Sequence, residues 1–353
     1  MNERIHGGDI YSQRKDIVDL SVNLNPLGVS EEIRKALTEG LSSVDRYPDP
    51  LNRGLKKAIS EYEGVPEKNI ICGNGASALI FDLIRTLSPK KAVFTAPLFT
   101  EYERAAESLG AEKEFFFLRE EEDFLPGRDL IDAVREDTDI FIIVNPNNPT
   151  GRLVPRDILL SLLKRCEETG TLLLVDECFL PLSDKGFSLE PFISEHKNLV
   201  VLKSFTKLYA IPDIRLGYAL CSDPALIEKT ERVRAPWSVS NLSERAGIAA
   251  LQLKDLPERT AEFIKAEKEE FCKVFDILES KGLRYIRTDT VFILFFSPPL
   301  PEGDLYSELI KRNIMIRDCR DFTGLTGGWY RTAIGSKEMN RAFFKALKEI
   351  YGY

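Results

Sequence analysis

The sequence has almost no histidine: two in 353 residues, His6 and His196. Metal centres and hydrolytic triads rely on that side chain, so a His-based metal site or a Ser–His–Asp hydrolase has little to be built from. No G-x-S-x-G pentapeptide is present either. The six cysteines, at 72, 166, 178, 221, 272 and 319, are scattered and form no C-x-x-C pair. They read as reduced thiols rather than as a disulfide framework or a zinc site. Long apolar runs are missing too. Those present, such as VFILFF and IFIIV, are far too short to cross a bilayer, and the opening MNERIHGGDIYSQRKD has no apolar signal core. There is no excess of positive charge: the net charge is −8, with acids and bases mixed. That argues against nucleic acid or an anionic membrane as the main partner. The expectation is a cytoplasmic protein that holds no metal.

What is there is an ordinary globular composition, 43% hydrophobic and 29% charged, in a chain long enough for two domains. From about residue 68 short apolar runs alternate with amphipathic stretches. NIIC, KAVFTA, EKEFFFL, DIFIIVN, TLLLVDE, NLVVLKS and GYALC read as strands. Helical patterns fall at 76–87, 99–109, 129–136 and 155–169. The apolar runs do not alternate, so strands buried on both faces are expected, in a mostly parallel sheet between helices. The fold class is α/β. After residue 222 the texture changes to α+β: a long charged helix over roughly 256–281, VFILFFS, a helix near 302–312, IMIRDC, WYRTAIG and a helix from 337. The expected division is an N-terminal segment (1–44, with a helix near 30–40) packing on the small domain and the substrate site, a large domain (45–250) and a small C-terminal domain (251–353).

Four motifs carry chemistry. In IICGNGASALI a strand runs through Gly73 and Gly75 into a helix, whose first N–H groups, at Ala76 and Ser77, suit a phosphate. Gly73, Gly75 and Ala78 also satisfy the dinucleotide pattern G-x-G-x-x-G/A. That pattern needs an acidic residue at the end of the next strand, and VFTAPLF supplies none before Glu101. VNPNNPTG (144–151) is an extended turn at the carboxyl end of a strand, where open α/β sheets bind ligands. LLLVDE places Asp176 at a strand end, where a carboxylate needs a cationic partner. SFTKLYAIPDIRLGY brings Ser204, Lys207 and Arg215 to a turn between apolar runs, and a core-facing lysine needs a partner, neutralisation or a covalent bond.

Taken in order, these motifs resemble the fold type I enzymes of pyridoxal 5′-phosphate, in the aminotransferase class I and II branch, over nearly the whole chain. The resemblance implies an aspartate aminotransferase-like fold with a seven-strand-type sheet in the large, cofactor-binding domain. It implies that Lys207 joins the cofactor aldehyde and Asp176 pairs with the pyridine nitrogen. Asn148 would donate to the ring 3-oxygen and meet substrate. Ala76, Ser77, Ser204 and Arg215 would hold the phosphate, and Phe99, in APLFTEYERA, would stack on the ring. Tyr47, in RYPDP, would reach the cofactor of a neighbouring subunit in a homodimer with shared sites. A carboxylate beside the ring nitrogen favours its protonated form by roughly 1–3 pKa units, or about 1.4–4 kcal/mol.

The tail, IMIRDCRDFTGLTGGWYRTAIG, supplies Arg331, which resembles the family's substrate-carboxylate arginine, and Arg317, which matches an arginine used for a substrate phosphate. A small phosphorylated amino acid or amine is the implied substrate. Two branches use one: threonine-phosphate decarboxylases and histidinol-phosphate aminotransferases, the latter passing an amino group to 2-oxoglutarate. The opening HGGD with His6, the segment LSVNLNPLG with Asn23, Phe179 in DECF where aminotransferases usually carry a tyrosine, and RAPWSVSN around Trp237 resemble the decarboxylase. Two positions depart from it. Asp213 replaces a usual glycine, with an expected strain at positive φ and a weaker phosphate grip by Arg215. Gly335 stands where the decarboxylase is expected to have a second arginine.

Overall fold

The computed structural model describes residues 6–13, 16–184, 186–301 and 303–353. The first five residues of the polar opening stretch, and residue 302 at the start of the helix expected near 302–312, lie outside that set.

The seven apolar runs form one sheet: β1 (Ile70–Asn74), β2 (Lys91–Ala96), β3 (Glu112–Phe117), β4 (Ile140–Val144), β5 (Leu172–Asp176), β6 (Leu199–Ser204) and β7 (Leu216–Cys221), in spatial order β1-β7-β6-β5-β4-β2-β3. β7 runs antiparallel to both neighbours, and the other pairs are parallel. The central strands are buried on both faces, as their unbroken apolar runs require. Leu173, Leu174, Val175 and Leu199 to Leu202 have no exposed surface, and each such side chain contributes about 1.5–3 kcal/mol by leaving water. β3 departs from that expectation. It is the sheet edge, its residues are half-buried or exposed, and its Lys113 and Glu114 are charges of the kind that discourage edge pairing.

The helices of more than one turn are α1 (Glu31–Gly40), α2 (Arg53–Glu63), α3 (Gly75–Leu87), α4 (Glu101–Glu107), α5 (Arg156–Thr169), α6 (Pro224–Val233), α7 (Asn241–Leu251), α8 (Leu256–Glu279), α9 (Leu305–Lys311) and α10 (Lys337–Tyr351), and a single turn spans Phe205–Leu208. Local chemistry sets several ends: Ser30 caps α1 at the Ile33 N–H, Ser336 caps α10 at Met339, and Gly170 ends α5 in the left-handed region at φ 72°. The stretch 129–136 holds only a 3-10 segment, Arg128–Ala133, with one buried residue, which is too small an apolar face to hold an α-helix. α2 starts after Asn52, a left-handed residue at φ 51° that makes no side-chain cap; Asp49, three residues earlier, takes that place, its Oδ2 accepting from Arg53 N at 2.9 Å.

The second sheet has four antiparallel strands, β8 (Arg284–Tyr285), β9 (Phe292–Phe296), β10 (Arg317–Asp318) and β11 (Trp329–Ala333), in the order β10-β11-β9-β8. An aromatic cluster of Phe275, Phe295 and Phe343 joins it to α8 and α10. The N-terminal segment reaches the same region, because Val18–Asp19 pairs in parallel with Ile314–Met315. Asn25 then ties three parts together. Its N–H donates to Lys207 O at 2.9 Å, and its amide donates to Leu208 O at 2.7 Å and to Thr260 Oγ1 of α8 at 2.8 Å.

Candidate active site

A cleft of about 440 Å³ opens at the carboxyl ends of β4, β5 and β6. Twelve of the thirteen residues singled out from sequence line it. Tyr47 does not: it is 81% exposed and stacks on Trp237 with ring centroids 4.9 Å apart, away from this cleft.

One end of the cleft suits a phosphate. α3 has no side-chain cap at its start, which leaves the leading N–H groups, at Ala76 and Ser77, for an anion. Arg215 sits over this turn. Gly75 lies at φ +77°, and a β-carbon there would come within 2.6 Å of Arg215 Nη2, so only glycine lets the guanidinium approach. Arg215 itself has φ 53°, and its Nη1 donates to Pro212 O at 2.9 Å. Asp213 does not carry the expected strain. It is exposed in the 3-10 turn Pro212–Ile214, has no positive φ, and makes no ion pair with Arg215. The left-handed residue is Arg215, two places on. Ser204 ends β6, and its Oγ accepts from Thr206 N at 3.1 Å, which starts the single helical turn that carries Lys207.

The other end is acidic and dry. Asp176 closes β5 and is 6% exposed. Its Oδ2 accepts from the Tyr102 hydroxyl at 2.8 Å and its Oδ1 from Cys178 N at 2.8 Å. Burial pushes its pKa up, while Cys178, Tyr102 and Lys207 pull it down. Such a carboxylate is at ease only beside a cation.

Lys207 lies between the two ends, and its Nζ has no hydrogen-bond partner among the described residues. Burial pushes its pKa down to about 8; Arg331 and Arg215 add to that, and Cys178 and Asp176 oppose it. An appreciable neutral fraction at neutral pH is what a nucleophilic amine needs. The Phe179 ring lies 5.3 Å from Nζ and packs edge-on against Phe292, so this wall offers no hydroxyl. On the α4 side Phe99 meets the Tyr102 ring at 6.5 Å.

A further wall of the cleft is built from β10 and β11, whose register sets Arg317 directly opposite Arg331. Arg331 is buried and held by neutral acceptors: Asn148 Oδ1 takes a bond from Nη1, and Ser21 O takes one from Nη2 at 2.8 Å. Asn23, with its amide oxygen toward the guanidinium, accepts from Nε at 3.2 Å and Nη1 at 3.3 Å. Burial lowers the Arg331 pKa to about 10. Asn148 Nδ2 keeps no protein acceptor among the described residues. Arg317 is bound instead to Asp321, and His6 Nε2 lies 2.8 Å from Glu101 Oε1.

Tyr102, Ser21, Cys178 and Asp321 escaped the sequence reading. Tyr102 had a signal, since it follows Phe99 by three residues at the start of a helix, where such residues share a face. Ser21 and Cys178 act through backbone atoms, which no side-chain pattern reveals.

Pyridoxal 5′-phosphate fits this donor set. Ala76, Ser77, Ser204 and Arg215 would hold its phosphate, Asp176 would pair with its cationic nitrogen, and Lys207 would meet its aldehyde. When bound, the cofactor draws the electrons of a bond at the substrate α-carbon into its ring.

The model of the aminotransferase class I and II family matches residues 15–347. The chain is 32% identical over 352 residues to the threonine-phosphate decarboxylase of Salmonella typhimurium, covering 98% of this chain and 96% of that one. It is also 32% identical over 348 residues to the histidinol-phosphate aminotransferase of Methanothermobacter thermautotrophicus, covering 97% and 91%. The crystal structure of histidinol-phosphate aminotransferase from Clostridium acetobutylicum superposes with a TM-score of 0.86 at 30% identity, covering 94% of this chain and 98% of that one. This chain therefore belongs to the aminotransferase class I and II family of pyridoxal 5′-phosphate-dependent enzymes.

Proposed function

We propose that the enzyme decarboxylates L-threonine O-phosphate. The observation that carries the substrate class is the cross-strand pair Arg317 and Arg331 in one cleft with Lys207. Two guanidinium groups side by side suit a small molecule with two anionic groups. In this reading Arg331 takes one anion and Arg317, with His6, the other. Asp176 keeps the far end of the cofactor cationic, and Arg215, Ser204, Ala76 and Ser77 hold its phosphate. Asn148 Nδ2 donates to the ring oxygen and Phe99 covers the ring. The substrate loses its carboxyl group as CO2 and gains one proton at the α-carbon, which Lys207 Nζ delivers. Phe179 supports lyase rather than transaminase chemistry, because the wall facing Lys207 lacks the tyrosine hydroxyl usual in aminotransferases.

One observation favours the second reading, transamination of histidinol phosphate. Gly335 sits in a closed turn where a β-carbon would lie 2.9 Å from Leu20 Cδ2 and 3.1 Å from Met339 Cβ. The second arginine expected of a decarboxylase has no room there.

We place the enzyme in the cytoplasm; no helix among the described residues is long and apolar enough to cross a membrane. We further infer a homodimer in which Tyr47 reaches the partner's site. Its exposure beside Trp237, Val44 and Leu51, all more than 45% exposed, supports that reading.

The deciding experiment offers the holoenzyme L-threonine O-phosphate, and separately histidinol phosphate with 2-oxoglutarate. Release of CO2 without glutamate is expected. Glutamate without CO2 makes the enzyme an aminotransferase.

A further inference from the structure

The two cleft arginines are in different electrostatic states. Arg331 meets only neutral acceptors, from Asn148, Asn23 and Ser21, and keeps its full charge. Arg317 does not. Its Nη2 donates to both carboxylate oxygens of Asp321 at 2.7 Å, its Nη1 donates to Asp318 O, and its guanidinium lies 5.2 Å from the Phe322 ring. The pair is largely out of water, with 9% of the Arg317 side chain and 18% of the Asp321 side chain exposed.

Register explains why a carboxylate is there. Arg317 and Arg331 are directly opposed across β10 and β11, and like charges in that arrangement destabilise a sheet. Asp321, four residues after Arg317 and outside any helix, neutralises one of them from the turn that follows β10. It also occupies Nη2, a donor an anion would use, while Asp318 O takes Nη1. A second cleft of about 370 Å³ opens behind this pair and shares His6, Gly7, Ser21 and Arg317 with the first. Arg317 thus stands where the two compartments meet, with Asp321 on the side of the second.

We propose that Asp321 is a specificity-determining residue: an internal stand-in for the substrate's second anion, which a phosphate must displace from Arg317 to bind. The inference rests on the reading of Arg317 as an anion-binding residue. Its consequence is selectivity. A dianionic phosphate gains from displacing one carboxylate, because it brings more charge and three acceptor oxygens. A second carboxylate only exchanges like for like and gains nothing.

The experiment titrates inorganic phosphate into the holoenzyme, whose cofactor fills the other phosphate site, and reads the heat of binding. Asp321→Asn keeps the shape and one acceptor for Arg317 but removes the charge. It is expected to bind phosphate about tenfold more tightly than wild type. Arg317→Ala is expected to abolish binding in both backgrounds. Asp321→Ser, with a melting curve for each protein, guards against a folding defect in the asparagine variant. Equal or weaker phosphate binding by folded Asp321→Asn and Asp321→Ser overturns the proposal, as does the absence of any Arg317-dependent heat. The KM for L-threonine O-phosphate is expected to fall about tenfold in Asp321→Asn, more than the KM for any unphosphorylated amino acid. Failure of wild type to turn over threonine O-phosphate counts against the substrate reading alone, since the heat of phosphate binding needs no turnover.

Discussion

Arg317 and Arg331 face each other as directly paired residues of neighbouring antiparallel strands, and the cleft that holds Lys207 lies over them. A sheet does not bring two guanidinium groups together without cost. Asp321 offsets the charge of one, while neutral acceptors hold the other in place.

Arg331→Lys tests the fork. Lysine keeps the charge but not the planar pair of donors, and it abandons the Asn148 and Ser21 oxygens. Hydrogen bonds to charged groups contribute about 1.5–3 kcal/mol. The KM of a carboxylate substrate should therefore rise roughly 10-fold to 100-fold, with kcat reduced less. Steady-state kinetics on whichever substrate the enzyme uses will read this.

Tyr102→Phe removes the hydroxyl that supports Asp176 Oδ2 in a buried site. The Asp176 carboxyl, already raised by burial, rises further and becomes a poorer partner for a cationic ring nitrogen. Cofactor affinity should fall about tenfold, measured by absorbance during dialysis. An unchanged affinity would mean that the Cys178 N–H alone is enough.

Lys207→Met should stabilise the cofactor-free protein, with a definite pH dependence. The Lys207 pKa is lowered from 10.5 to about 8 in the folded state. Charging it in the fold is therefore unfavourable, and that penalty is fully present below pH 8. It fades as pH rises from 8 to 10.5, where the unfolded chain also loses the proton. Methionine should add up to ~3 kcal/mol at pH 7 and much less at pH 10.5. Urea unfolding at the two pH values will measure the difference.

Gly75→Ala sets a methyl group against Arg215 Nη2 at a residue with φ +77°. The backbone strain and the displaced guanidinium act together on the phosphate end. Cofactor release should quicken at least tenfold, while overall stability falls by about 1 kcal/mol.

Asp213→Gly should do almost nothing to cofactor binding. Asp213 is solvent-facing, unstrained and unpaired with Arg215, and surface changes of that kind usually stay within about 0.5 kcal/mol. A large gain in affinity would restore the expectation that this carboxylate weakens the phosphate grip.

Much of this was open to a reader of the chain alone. The runs from NIIC to GYALC were legible as strands because each is a short apolar run bounded by turn residues, and the five between the edge strands β1 and β3 are buried as their apolar content requires. The α3 turn, the NPNNPTG loop and the Lys207 turn were legible because each depends on local backbone chemistry: glycine at positive φ, proline without an N–H, and a serine that caps a helical turn. β3 reads as a buried strand on its FFF run, although Glu112, Lys113 and Glu114 before that run are the charges of an edge strand. α2 was not legible because the side chain that accepts from its first N–H is Asp49, four residues before Arg53, and not the asparagine next to it.

The linear order of residues thus determined the fold class, through periodicity, and marked the turns that carry Lys207 and Arg215 through chemistry within a few residues; the roles of the residues around the lysine rested on the resemblance to a family. Tertiary structure alone decided which partners each charge received. The Tyr102–Asp176 bond spans 74 positions, the Arg331–Ser21 bond 310, and the opposition of Arg317 to Arg331 depends on strand register. Electrostatic energy falls with distance in space and with loss of water, and neither quantity is a property of position along the chain.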